Sequence, residues 1–136
     1  MRALLDTCII IDALQSRDPF SNDAQAIFMS AANKQFEGYI AAKSVADIYY
    51  ITHRNTHNDE ETRKILNKIF ALFGILDTTS LDCRKAVSSE MKDYEDAIMA
   101  ETAMRTEMDC IVTRNIKDFK NASIKILSPT EFIKMI

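Results

Sequence analysis

The sequence predicts an α/β fold, a three-layer sandwich with a mostly parallel central sheet of about five strands. Two observations predict it. Short apolar runs such as Ala3-Leu4-Leu5 and Cys110-Ile111-Val112 alternate with longer stretches of helical periodicity. Those runs are apolar on successive residues, the pattern of strands covered on both faces. A third observation bears on function: acids and amides stand directly after several of the runs.

Taken in order, Ala3 to Leu5 reads as a buried strand and Thr7 to about Leu14 as a helix. A stronger helix is expected from about Ser21 to Asn33, with Ser21 as its N-cap. Phe36 to Ile40 reads as the second strand. The segment from about Lys43 to His53 is helical, with Val45, Ile48, Tyr49 and Thr52 at core spacing. Glu60 to about Phe73 follows as a helix presenting Ile65, Leu66, Ile69, Phe70 and Phe73 on one face, closed by Gly74. Ile75-Leu76-Asp77 is the third strand, and Ser80 to Ser88 and Asp93 to about Thr106 are helices. Cys110 to Thr113 and Ile124 to Leu127 are the last strands. A final helix starts after Ser128, with Pro129 at its first position.

The chain of 136 residues has the size of one domain, and residues 1–136 are expected to form a single one. Apolar residues make up 47%, enough for a continuous core, and two Gly and two Pro leave little room for linkers. Charges such as Asp6 and Asp12 interrupt every apolar run, so no bilayer span and no signal peptide is expected. Cys8, Cys83 and Cys110 are too widely spaced for a zinc ribbon or a disulfide framework, which favours a reduced, cytoplasmic protein. The net charge of −3 argues against a passive nucleic-acid binder. That objection lapses if the acids are concentrated in one cation-filled pocket.

In parallel sheets, ligands bind beyond the carboxyl ends of the strands. Asp6 follows the first strand directly. Asn115 follows the fourth, with Asp118 one turn further on. Asp93 and Asp96 share one face of a first helical turn, where like charges repel unless a cation or the helix N-terminus compensates. Asp47 lies in the second turn of the helix after the second strand. Together they offer an oxygen-only ligand set suited to Mg²⁺ or Mn²⁺. Arg114, Lys117 and Lys120 stand beside this set and are candidates for holding phosphates. Each residue also has a plainer use. Asp93 serves as an N-cap, Asp47 and Asp118 as solvated acids, and Cys8 as a small core residue. Asp12 is off the face of Asp6 and reads as structural. His53 and His57 have a zinc-compatible spacing but no third ligand nearby.

The motifs Leu4-Leu5-Asp6-Thr7, Asp93-Tyr94-Glu95-Asp96-Ala97-Ile98 and Val112-Thr113-Arg114-Asn115-Ile116-Lys117-Asp118-Phe119 resemble those of the PIN domain family. Their order and spacing fit over essentially the whole chain. The likeness is greatest to the toxin-like, VapC-type members of bacterial toxin–antitoxin pairs. It implies a metal-dependent endoribonuclease using Mg²⁺ or Mn²⁺, in which an activated water attacks phosphorus in line and leaves a 3′-hydroxyl. Asp6 matches the first metal-binding acid, Thr7 the hydroxyl beside it, and Asp96 the third acid. Asp47 falls where the family usually has Glu, and Asn115 where many members have Asp. Asp118 then supplies the charge that Asn115 lacks, and Asp93 is accessory. The resemblance further implies RNA as substrate, an antitoxin protein as partner, and a homodimer in the inhibited complex.

Two other classes compete. A receiver-like signalling domain would use Asp77 as phosphoacceptor, but the acidic pair after the first strand and a Lys after the last are missing. A dehalogenase-type phosphatase would need an Asp where Cys8 stands. A PIN-like domain that binds RNA or protein without cutting is the remaining alternative.

Overall fold

A computed structural model describes residues 1–136. Five strands form one parallel sheet: β1 (Arg2–Leu5), β2 (Glu37–Ala41), β3 (Gly74–Leu76), β4 (Cys110–Val112) and β5 (Lys125–Leu127), in the order β3-β2-β1-β4-β5. Seven α-helices cover it: α1 (Thr7–Leu14), α2 (Ser21–Ala32), α3 (Ala42–Thr56), α4 (Asp59–Leu72), α5 (Ser80–Val87), α6 (Tyr94–Arg105) and α7 (Pro129–Ile133). A short 3-10 helix spans Ile116–Phe119. No helix is long and apolar enough to cross a membrane.

The alternation of side chains along each strand divides the core in two. Ala3 and Leu5 of β1, Cys110 and Val112 of β4 and Ile40 of β2 pack under α1–α4 and α7, with Ile9, Ile10, Ile27, Ile48, Ile69 and Phe132. Leu4, Ile111 and Ala41 point to the other face, against Ala86, Ala97, Met99 and Ala103 of α5 and α6. That doubly covered sheet is why its strands read as unbroken apolar runs. Gly38 is required by packing: a Cβ there would meet the Phe73 ring at 2.7 Å.

Chain order places the functional edge. The chain runs outward from β1 through β2 to β3, then returns to the far side of β1 for β4 and β5. The direction of winding therefore reverses between β1 and β4, where open α/β sheets leave a crevice for ligands.

Three local expectations differ from the structure. Ser21 is the first residue of α2 rather than its cap, and its hydroxyl donates instead to Asp18 at 3.2 Å. Gly74 opens β3 instead of closing α4. Phe73 is already extended, so the chain passes from helix to strand without a left-handed turn. On α4, Ile69 and Phe73 face the core, but Phe70 turns outward to an α3–α4 groove.

A carboxylate site at the strand ends

Asp6 leaves β1 at the crevice and caps α1, its Oδ1 accepting the Thr7 amide at 2.8 Å. Its backbone N–H still belongs to the sheet, donating to the Val112 carbonyl at 3.0 Å. The other oxygen, Oδ2, accepts the Thr113 hydroxyl at 2.8 Å. That hydroxyl also receives the Asn115 amide at 3.0 Å. Thr113 thus ties the end of β4 to the end of β1, holding Asp6 and Asn115 in fixed relation. Cys8 is half-buried at the same carboxylate, with Sγ 3.7 Å from Asp6 Oδ2. Burial and the Asp6 charge push its thiol up to about 11, so it remains protonated. Neither Thr113 nor Cys8 was expected at the site; the adjacency of β1 and β4 brings Thr113 there, whereas Cys8 lies two residues beyond Asp6.

Asp93 is the N-cap of α6, accepting the Asp96 amide at 3.0 Å. Capping and site membership are compatible here, because the cap aims that first helical turn at the sheet edge. Asp96 is half-buried, and its carboxyl is pushed up to about 7. Burial is the largest cause, followed by the charges of Asp6, Asp93 and Asp118, with Lys43 the cation that opposes them. Three further carboxylates therefore act on Asp96 at this edge. Asp118, in the 3-10 helix, and Asn115 just before it are exposed on its rim. Asp47 is exposed on α3 and is not among the charges that bear most on Asp96.

The raised pKa of Asp96 has a stability consequence with a definite sign. Folded Asp96 binds its proton more tightly than an unfolded aspartate near 3.8. Its contribution is therefore fully present below pH 4 and lost as pH rises through 7. Asp96→Asn is expected to raise stability at pH 8 by about 1–2 kcal/mol, after discounting for partial exposure, and to change little at pH 4. Urea unfolding at the two pH values measures it. An equal effect at both would refute the charge repulsion.

The basic residues separate. Arg114 is not free to hold a phosphate, as its place beside the pocket had suggested. Its Nε and an Nη donate to the buried Asp12 carboxylate at 2.7 and 3.3 Å, and its guanidinium lies over the Phe20 ring at 4.2 Å. Asp12, 1% exposed, is structural as expected, and Arg17 also approaches it at 3.9 Å. Lys117 and Lys120 are exposed. His53 stacks on Tyr49 and belongs to no metal-holding group. Asp77 follows β3 at the edge of the sheet, away from the β1–β4 crevice, and its carbonyl accepts from Arg105, which also holds the buried Asp82 carboxylate.

As placed, no three His, Cys, Asp or Glu side chains form a ready-made metal-holding group. The donor chemistry nevertheless suits a divalent cation. The set is all oxygen, and a cation among these acids would offset both the burial and the neighbouring charges that raise the Asp96 carboxyl.

An all-parallel α/β protein with its acids gathered at the winding reversal is the class that fold and site define. Residues 2–117 match the PIN domain, and the chain belongs to that family. No curated protein matches it. Among solved structures, it is similar to a toxin–antitoxin complex from Klebsiella pneumoniae at 24% identity, covering 93% of this chain and 97% of that one, with a TM-score of 0.69. It also resembles VapBC2 from Rickettsia felis bound to a DNA fragment from its promoter, at 20% identity, with 94% and 98% covered and a TM-score of 0.66. A third is Mycobacterium tuberculosis VapC20, described as a Sarcin-Ricin loop cleaving toxin, at 9% identity, with 90% and 98% covered and a TM-score of 0.65. These likenesses establish the fold.

Proposed function

We propose that this protein is a metal-dependent endoribonuclease of the cytoplasm, the toxin of a toxin–antitoxin pair. The observation that carries this reading is the gathering of Asp6, Asp93, Asp96 and Asp118 at the sheet's winding reversal in a chain of the PIN family. The structural neighbours described as a toxin–antitoxin complex and as a Sarcin-Ricin loop cleaving toxin point the same way.

In this reading Asp6, Asp96 and Asn115 hold Mg²⁺ or Mn²⁺, with Asp93, Asp118 and Asp47 completing the set, directly or through water. When bound there, the cation would supply Lewis acidity toward phosphate oxygens and water. The chain's own residues hold the geometry. Thr113 and the Thr7 amide orient the two oxygens of Asp6, and the Asp93 cap orients Asp96. In this reading Thr7 and the exposed Lys117 contact phosphates flanking the one that is cut. The α3–α4 groove, about 690 Å³ and lined by Val45, Tyr49, Tyr50, Leu66 and Phe70, offers apolar surface to an antitoxin or a second subunit.

The test is cleavage of single-stranded RNA with Mn²⁺ or Mg²⁺ and its arrest by EDTA, joined to expression with and without the neighbouring gene. Growth arrest relieved by the neighbour supports the toxin role. Active but harmless protein points to RNA processing. A non-cleaving RNA- or protein-binding role is the second reading, favoured by exposed Asp47 and by the uncharged Asn115. RNA binding without metal-dependent cleavage would establish it.

A further inference from the structure

Four carboxylates pose a problem for any substrate of a nuclease. A phosphodiester is itself an anion, and one divalent cation neutralises only half of the charge of Asp6, Asp93, Asp96 and Asp118. A fixed cation facing the pocket is needed, and the residues the sequence offers for it are badly placed. Arg114 is committed to Asp12 and Phe20, while Lys117 and Lys120 extend from the exposed rim.

Lys43 is placed differently. Strands β1 and β2 pair in parallel with Leu4 opposite Tyr39, which sets Asp6 level with Ala41. Lys43 follows two residues later, in the first turn of α3, its amide donating to Thr78 Oγ1 at 3.2 Å. It therefore rises from the strand end next to Asp6, on the side where Ala41 packs with Ala97 and Met99 of the Asp96 helix. Its charge acts on Asp96, its side chain is half-buried, and none of the protein's ion pairs includes it. It also stands one helical turn before Asp47, on the same face of α3. A half-buried lysine without a salt-bridge partner, whose charge acts on a carboxylate cluster, suits a visiting anion.

We propose that Lys43 is the substrate-phosphate contact of this site, its ammonium taking a non-bridging oxygen of the phosphodiester while the carboxylates hold the cation. This rests on the nuclease reading above. The test compares wild type, Lys43→Met and Lys43→Arg. Three quantities are read: Mn²⁺ affinity without RNA, affinity for a phosphorothioate single-stranded oligoribonucleotide with Mn²⁺ across a salt series, and single-turnover cleavage of the unmodified RNA. Lys43→Met is expected to weaken RNA binding about tenfold, the scale of one charged hydrogen bond. Its salt slope should fall by about 0.7, the share of one phosphate on a single strand. Cleavage should drop at least as far as binding. Mn²⁺ should bind as tightly as in wild type or more so, because a competing positive charge is gone. Lys43→Arg should recover most of the RNA affinity. An unchanged salt slope in Lys43→Met overturns the proposal, and so does a parallel loss of Mn²⁺ affinity, which marks a scaffolding role. Wild type that binds RNA without cutting it refutes the nuclease reading, while Lys43 is still judged by affinity and salt slope. Wild type that binds no RNA refutes both.

Discussion

Asp6→Ala and Asp96→Ala are each expected to lower RNA cleavage by a factor on the order of 10³ or more while leaving the protein folded. The scale is that of losing the activated water when a metal ligand is removed. Folding should survive for reasons visible in the structure. Asp96 is held at an electrostatic cost, with its carboxyl near 7, so its removal relieves repulsion. Asp6 contributes an N-cap worth about 1 kcal/mol and accepts the Thr113 hydroxyl, a modest total against the stability of a domain. The pair thus separates activity from stability: single-turnover rates should collapse while urea midpoints shift little, that of Asp96→Asn upward at pH 8. Asp47→Glu is the companion variant. It should retain or raise activity, because one more methylene extends an acid from an exposed position on α3. Wild-type cleavage rates in both alanine variants would identify a contaminating nuclease and remove the proposed function.

The largest stability loss is expected from Asp12→Ala. Asp12 is 1% exposed and receives two hydrogen bonds from Arg114, with Arg17 nearby. Removing the acid leaves a half-buried guanidinium without its partner, a change that typically costs 3–5 kcal/mol for a buried pair and about 10–20 °C in Tm for a chain of this size. The substitution should also reach the site. Arg114 sits between Thr113, which donates to Asp6, and Asn115, whose amide Thr113 receives. Releasing its guanidinium loosens the turn that sets both. Mn²⁺ affinity should therefore fall at temperatures where Asp12→Ala is fully folded. Asp12→Asn keeps an acceptor for Arg114 and should cost less. A loss below about 1 kcal/mol in Asp12→Ala would show that solvent screens the pair as it does at the surface.

The comparison of Asp12 with Asp6 shows how far the sequence reaches. Strand and helix positions were legible because burial on both faces writes continuous apolar runs, as in Leu4-Leu5 and Ile111-Val112, and because Ser128-Pro129 marks a helix start. Asp6, Asp96 and Asn115 were legible as site candidates because strand ends and first helical turns are local features. Errors fell where a neighbour changed a residue's use, as with Ser21, turned to Asp18, and Gly74, drawn into β3. By itself, then, the sequence determined the elements, their alternation and the acids at their ends.

Only the tertiary structure decided which ends meet. Local periodicity reports how deeply each residue is buried, and it carries no information on which strand lies beside which. Setting β4 next to β1 brings Thr113 onto Asp6 across 107 positions of the chain and Arg114 onto Asp12 across 102. The first contact orients Asp6, and the second holds the Arg114 guanidinium on a buried carboxylate. Setting β2 on the other side of β1 brings Lys43, which no motif singles out, near enough for its charge to act on Asp96. Charges far apart in sequence act on one another only at the few ångströms that register and layer packing impose, so the site's electrostatics belong to the fold.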